Sequence, residues 1–175
     1  MKKTSILSIR INDDEKEILN TESELQGITL NALIGQILSK HIRWDRYSRD
    51  IGHVFISKPF LRSLLKNIDN KHMEKIGLPL AVSSMREEVL FSKGDITIEN
   101  FLSVFDMWLN SCNIPFRHIA EGELDKYIIK HDLGINFSTY LRKLVENTLN
   151  EIQFKFTEIN NSEDNITFEL QCGNR

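Results

Sequence analysis

Cys112, His118, His131 and Cys172 are candidate metal ligands, because thiolate and imidazole suit zinc, nickel or copper. Their spacing matches no ligand motif and cysteine is a common core residue. No metal and no other cofactor is therefore expected. The fragment His131-Asp132-Leu133-Gly134 offers a second chemistry, since an imidazole beside a carboxylate can ligate a metal or move a proton. The competing reading is structural, with Asp132 capping the helix that follows. Glu87 and Glu88 are sequence neighbours and diverge on a helix, so they form no acid–base pair. The chain lacks a phosphate-binding glycine loop, a nucleophile elbow and a zinc-protease motif, and it is not expected to be an enzyme.

The remaining candidate chemistry is recognition, and it lies in the first 42 residues. Ile6 to Ile11 alternate as one β-strand does, with Leu7, Ile9 and Ile11 on one face and Ile6, Ser8 and Arg10 on the other. Asn12 followed by Asp13, Asp14 and Glu15 marks a helix amino terminus, and the spacing predicts a helix to about Gln26 with Ile18, Leu19 and Leu25 inward. Gly27 ends it. Thr29 then caps a second helix whose apolar residues Leu30, Leu33, Ile34, Ile37, Leu38 and Ile42 recur at helical spacing. A segment of about 45 residues buries too little apolar surface to stand alone, and a lone strand leaves both edges unpaired. Pairing with a second copy would give a two-stranded ribbon of a size that enters the major groove.

On Ser8-Ile9-Arg10-Ile11-Asn12-Asp13-Asp14 and Gly27-Ile28-Thr29-Leu30-Asn31-Ala32-Leu33-Ile34, the segment resembles the ribbon-helix-helix family of transcription regulators. The resemblance covers about a quarter of the chain. It implies a homodimer that reads double-stranded DNA through Ile6, Ser8 and Arg10, with the backbone amides of Thr29, Leu30 and Asn31 clamping a phosphate. Lys2 and Lys3 would add phosphate contacts from a basic arm. Ile6 stands where the family usually carries a polar or basic reader, though an apolar side chain can meet a thymine methyl; Gly35 stands where arginine or another polar residue is common. Each basic residue also has a plainer reading: Arg10 as a solvated charge that discourages edge aggregation, Lys2 and Lys3 as a frayed terminus. Arg43, Arg46 and Arg49 with Trp44 and Tyr47 can track a nucleic-acid backbone or form a solvated helix face.

Over 175 residues, 41% apolar and 27% charged content describes an ordinary globular chain, and the net charge of −3 does not by itself suggest a nucleic-acid binder. No apolar run reaches the length of a membrane span, and the amino terminus has no signal-peptide pattern, so a cytoplasmic protein is expected; the resemblance implies a prokaryotic regulator. The expected fold class is α+β. Residues 1–48 form the ribbon-helix-helix head, and residues 49–175 form a domain of three helices followed by a ββαββ arrangement. Its predicted parts are a helix from Pro59, one near Pro79 to Phe91, one from Asp95 or Thr97, strands at 116–120 and 124–130, a helix at 133–150, and a second hairpin at 153–159 and 166–171 that turns at 160–165. This second domain senses a small-molecule effector, binds a protein or joins dimers into tetramers. The alternative is a head that only dimerises, beside a C-terminal protein-interaction module of antitoxin-like kind.

Overall fold

Residues 5–12 form no regular secondary structure, and among the described residues the first regular element is a helix. The computed structural model describes residues 5–46, 53–156 and 159–171. The expected amino-terminal strand is thus corrected, and with it the ribbon-helix-helix head: the described part of the unit is two helices preceded by a segment without regular structure. The physical reason is that alternation assigns side chains to faces but does not supply the neighbour whose N–H and C=O groups make a ladder.

The chain divides into two compact units, residues 1–46 and 47–175. In the first, α1 spans Asp13–Leu25, with Asn12 at its cap position donating its backbone N–H to Glu15 Oε2 at 3.1 Å. It closes in a Schellman turn. Gly27 sits at φ +66°, its N–H reaches Glu24 O, and the Ile28 N–H reaches Ser23 O, both at 3.0 Å. The second helix, α2, spans Leu30–Lys40, and Thr29 Oγ1 accepts the Ala32 N–H at 3.2 Å. It widens into a π turn over His41–Asp45. The predicted inner stripes are only partly realised. Leu33 and Trp44 are buried, whereas Ile18, Leu25, Ile37, Leu38 and Ile42 are exposed.

The second unit opens with α3 (Lys58–Lys66), with Pro59 in its first turn. A single turn at Asn70–His72 and a π turn at Met73–Gly77 lead into α4 (Leu78–Lys93). Next comes α5 (Ile98–Ser111), where Thr97 Oγ1 accepts the Asn100 N–H at 3.2 Å. Strands β1 (Phe116–Glu121) and β2 (Leu124–Lys130), helix α6 (Ile135–Glu151), and strands β3 (Asn160–Asn161) and β4 (Asn165–Gln171) complete it. The sheet is antiparallel in the order β1-β2-β4-β3.

Period-two burial in β2 and β4 builds the core. Tyr127 and Ile129 of β2 and Ile166, Phe168 and Leu170 of β4 face inward together, against Phe101, Phe105 and Leu109 of α5 and Leu141, Leu144, Val145 and Leu149 of α6. Phe105 meets both Tyr127 and Phe168 ring to ring, at 5.9 and 6.3 Å between centroids. The second hairpin differs from expectation. Residues 153–156 contribute only an isolated bridge from Phe156 to Leu170, and the paired residues are Asn160 and Asn161, where the turn was expected. Gln153 takes φ +55° as the chain leaves α6, a left-handed conformation outside strand geometry.

Candidate nucleic-acid interface and polar clusters

Ser8 and Arg10 lie exposed on the irregular segment before α1, and Ile6 on the same segment is 99% exposed. Among the described residues neither Ser8 nor Arg10 makes a hydrogen bond or ion pair, so both are uncommitted. Leu7, Ile9 and Ile11 are exposed in decreasing degree, 71%, 52% and 39%, and this row shares the segment with Arg10. Thr29, Leu30 and Asn31 occupy a different element, the start of α2. The Thr29 hydroxyl occupies the Ala32 amide, which leaves the Leu30 and Asn31 amides as the helix's open first-turn donors. The two sets are separated in the chain by α1, and among the described residues no hydrogen bond joins them. Lys2 and Lys3 lie outside the described residues, as does Arg49. Of the expected basic cluster after α2, Lys40 is engaged with Asp45 at 2.9 Å, and Arg43 and Arg46 are exposed.

His131 performs neither of the chemistries its neighbourhood in the sequence suggests. It is fully buried, with Nδ1 accepting the Leu133 N–H at 3.0 Å and Nε2 within 2.7 Å of Ser138 Oγ, whose hydroxyl donates onward to Glu163 O at 3.1 Å. Nδ1 is an acceptor here, so the proton sits on Nε2 and the ring is neutral. Burial pushes its pKa down to about 4, against the smaller opposing pull of Asp164 and Asp132. Asp132 does not cap α6. It adopts φ +58°, Gly134 takes the cap position at φ +87°, and Asp164 Oδ1 instead accepts the Gly134 N–H at 2.8 Å. The Asp132 carboxylate lies 3.9 Å from Lys130 and 4.0 Å from Lys58, and its backbone carbonyl accepts from Arg62 Nη1 at 2.9 Å.

The metal-ligand candidates are likewise dispersed. Cys112 is an exposed residue, but crowding around its thiol, followed by the charge of Glu88, pushes the pKa to about 11, so thiolate is scarce at neutral pH. Cys172 lies outside the described residues. Among those residues no group of three or more His, Cys, Asp or Glu is arranged to hold a metal ion.

His118 belongs to a cluster that sequence reading missed. Its Nδ1 lies 3.0 Å from Asp106 Oδ2 on α5, and its Nε2 lies 2.7 Å from Asp125 Oδ1 on β2. Tyr127 donates its hydroxyl to Asp106 Oδ1 at 2.7 Å, and its ring stacks on the imidazole at 4.2 Å. Register explains the meeting. His118 pairs across the ladder with Tyr127, and Asp125 is two residues from Tyr127 on the same face. Asp125 is 1% exposed, so the imidazole supplies a hydrogen-bond partner to a carboxylate with little access to water. Each member is already engaged by another, an arrangement that braces α5 against the sheet.

A second buried acid stands on α4. Glu88 is 3% exposed and its Oε1 lies 2.7 Å from His53 Nε2, a hydrogen bond that raises the His53 pKa over the opposing effect of burial.

Among the described residues no helix is long and apolar enough to cross a membrane. Comparison with protein families, with curated proteins and with solved structures finds no match for this chain.

Proposed function

We propose that the chain is a homodimeric, cytoplasmic DNA-binding regulator whose N-terminal unit supplies both the pairing surface and the DNA contacts. One observation carries the reading: Leu7, Ile9, Ile18, Leu25, Ile37 and Ile42 all remain exposed in a unit where Leu33 and Trp44 are the buried apolar side chains. A unit of this size with its apolar residues outward is completed by association, and the commonest closed assembly is a two-fold pair of identical chains. Pairing would bring two copies of Ser8 and Arg10 into one assembly. An exposed, uncommitted arginine beside a short hydroxyl is suited to guanine and phosphate, and the open amides of Leu30 and Asn31 suit a second phosphate. The sequence resemblance of residues 27–34 to DNA-binding regulators adds support.

The acids of α1 favour a second reading, pairing without DNA. Asp13, Asp14, Glu15, Glu17, Glu22 and Glu24 are all exposed and would repel a duplex that approached this helix.

Selection from a pool of random duplexes at moderate salt, repeated with Arg10→Ala, separates the two. Under the first reading a short repeated or palindromic site is enriched, and the variant binds it about tenfold or more weakly while sedimenting as the same dimer. No enrichment from an intact dimer selects the second reading. A wild-type chain that sediments as a monomer at tens of micromolar overturns both.

A further inference from the structure

The second unit contains a cavity of about 380 Å³ whose wall includes Glu88, His53, Tyr140, Trp108, Met85 and Leu144. That volume lies within the range of small-molecule sites. The lining is largely apolar and aromatic, with Glu88, His53, Ser84 and the Tyr140 hydroxyl as its polar groups. The two oxygens of Glu88 differ: Oε1 is held by His53, whereas Oε2 is buried without a hydrogen-bond partner among the described residues. A buried carboxylate oxygen without a donor is rare in folded proteins, and because Glu88 lines the cavity a ligand there is placed to supply one.

From this juxtaposition we propose that the cavity binds a small organic amine, its ammonium donating to Glu88 Oε2 and its apolar or aromatic body lying against Met85, Trp108 and Leu144. His53 occupies Oε1 of Glu88, so Oε2 is the carboxylate oxygen left for a donor carried by the ligand. The Tyr140 phenol is pushed up to about 12 by its burial and then by the negative charge of Glu88, so it enters the site as a neutral hydroxyl able to donate or accept. An indole in the wall favours a cation as well as an apolar body. An anionic ligand of the same shape would meet the Glu88 carboxylate and be refused. The proposal is independent of whether the N-terminal unit binds DNA.

Titration of the full chain with phenethylamine, followed by Trp108 fluorescence in a Trp44→Phe background and by calorimetry, tests it. The expected result is saturable binding that falls at least tenfold in Glu88→Gln, which keeps the acceptor for His53 and removes the charge. Ser84→Leu, at the cavity rim, is expected to weaken binding without touching the carboxylate, and it guards against a Glu88 variant that folds poorly. 3-Phenylpropanoate, of similar size and opposite charge, is expected to give no saturable signal. No saturable binding of phenethylamine to the parent chain, equal binding of the two probes, or undiminished binding by a folded Glu88→Gln chain would each overturn the proposal.

Discussion

His131 should make the second unit lose stability in mild acid, by an amount that follows from its position. In the unfolded chain an imidazole titrates near 6.5, whereas in the folded unit burial holds it at about 4. Between those values the unfolded state binds more protons, so stability is full above pH 6.5 and declines as pH falls to about 4. The whole interval corresponds to about 3 kcal/mol, a large share of the stability of a domain of this size. The ring's surroundings explain why protonation is resisted. A proton on Nδ1 would face the Leu133 N–H, a donor against a donor, while Nε2 is already committed to Ser138. Histidine-edited NMR should therefore show one imidazole that stays in the Nε2–H form from pH 8 to 5. Urea unfolding monitored on the second unit should show a pH slope that His131→Gln flattens between 6.5 and 4. The variant should also be weaker at pH 7 by roughly 1–3 kcal/mol, from hydrogen bonds it cannot reproduce. Comparing parent and variant at each pH cancels the carboxylates common to both. Parallel pH profiles, or a His131 resonance titrating near 6.5, would refute the reasoning.

Two further predictions concern the elements that position the candidate sites. Thr29→Ala removes the hydroxyl that caps α2 and should lower the stability of the N-terminal unit by about 1 kcal/mol, read by thermal unfolding at fixed chain concentration; Thr29→Ser should restore most of it. His118→Ala takes away a hydrogen-bond partner of the buried Asp125 and should cost roughly 2 kcal/mol, and a double-mutant cycle with Asp125→Ala should return a coupling of at least about 1 kcal/mol. Additive effects would mean that the imidazole and the carboxylate are independent.

The helices of the second unit were legible because their signals are local and their faces continuous. Phe137, Leu141, Leu144, Val145 and Leu149 follow helical spacing and are all buried along α6. Thr97 announces α5 and caps it. The first hairpin was legible for a similar reason, with Glu121-Gly122-Glu123 separating two alternating runs. The amino-terminal strand was misjudged because Ile6–Ile11 carries the alternation of a strand, whereas strandedness is a property of a pair. The second hairpin was displaced because the Phe154 and Phe156 pattern continues an apolar alternation directly after Gln153, whose left-handed conformation lies outside strand geometry.

The polar clusters escaped for another reason, and both were within reach of the same periodicities. In β2 the inward phase reads Asp125, Tyr127, Ile129, and on α4 the buried face reads Met85, Glu88, Val89, at spacings of two in the strand and of three and four in the helix. A carboxylate standing in phase with core residues predicts either a partner from another element or an unsatisfied charge, because burial of an isolated carboxylate is strongly disfavoured. Asp125 realises the first outcome, its partner His118 arriving from the neighbouring strand. Glu88 realises half of each, with one oxygen answered by His53 and the other unanswered. Scanning for charges in the buried phase, rather than for named motifs, would have pointed to both acids. It could not have separated the braced one from the vacant one, because His118 reaches Asp125, and Asp106 and Tyr127 reach His118, only through strand register and helix packing, which no local spacing records.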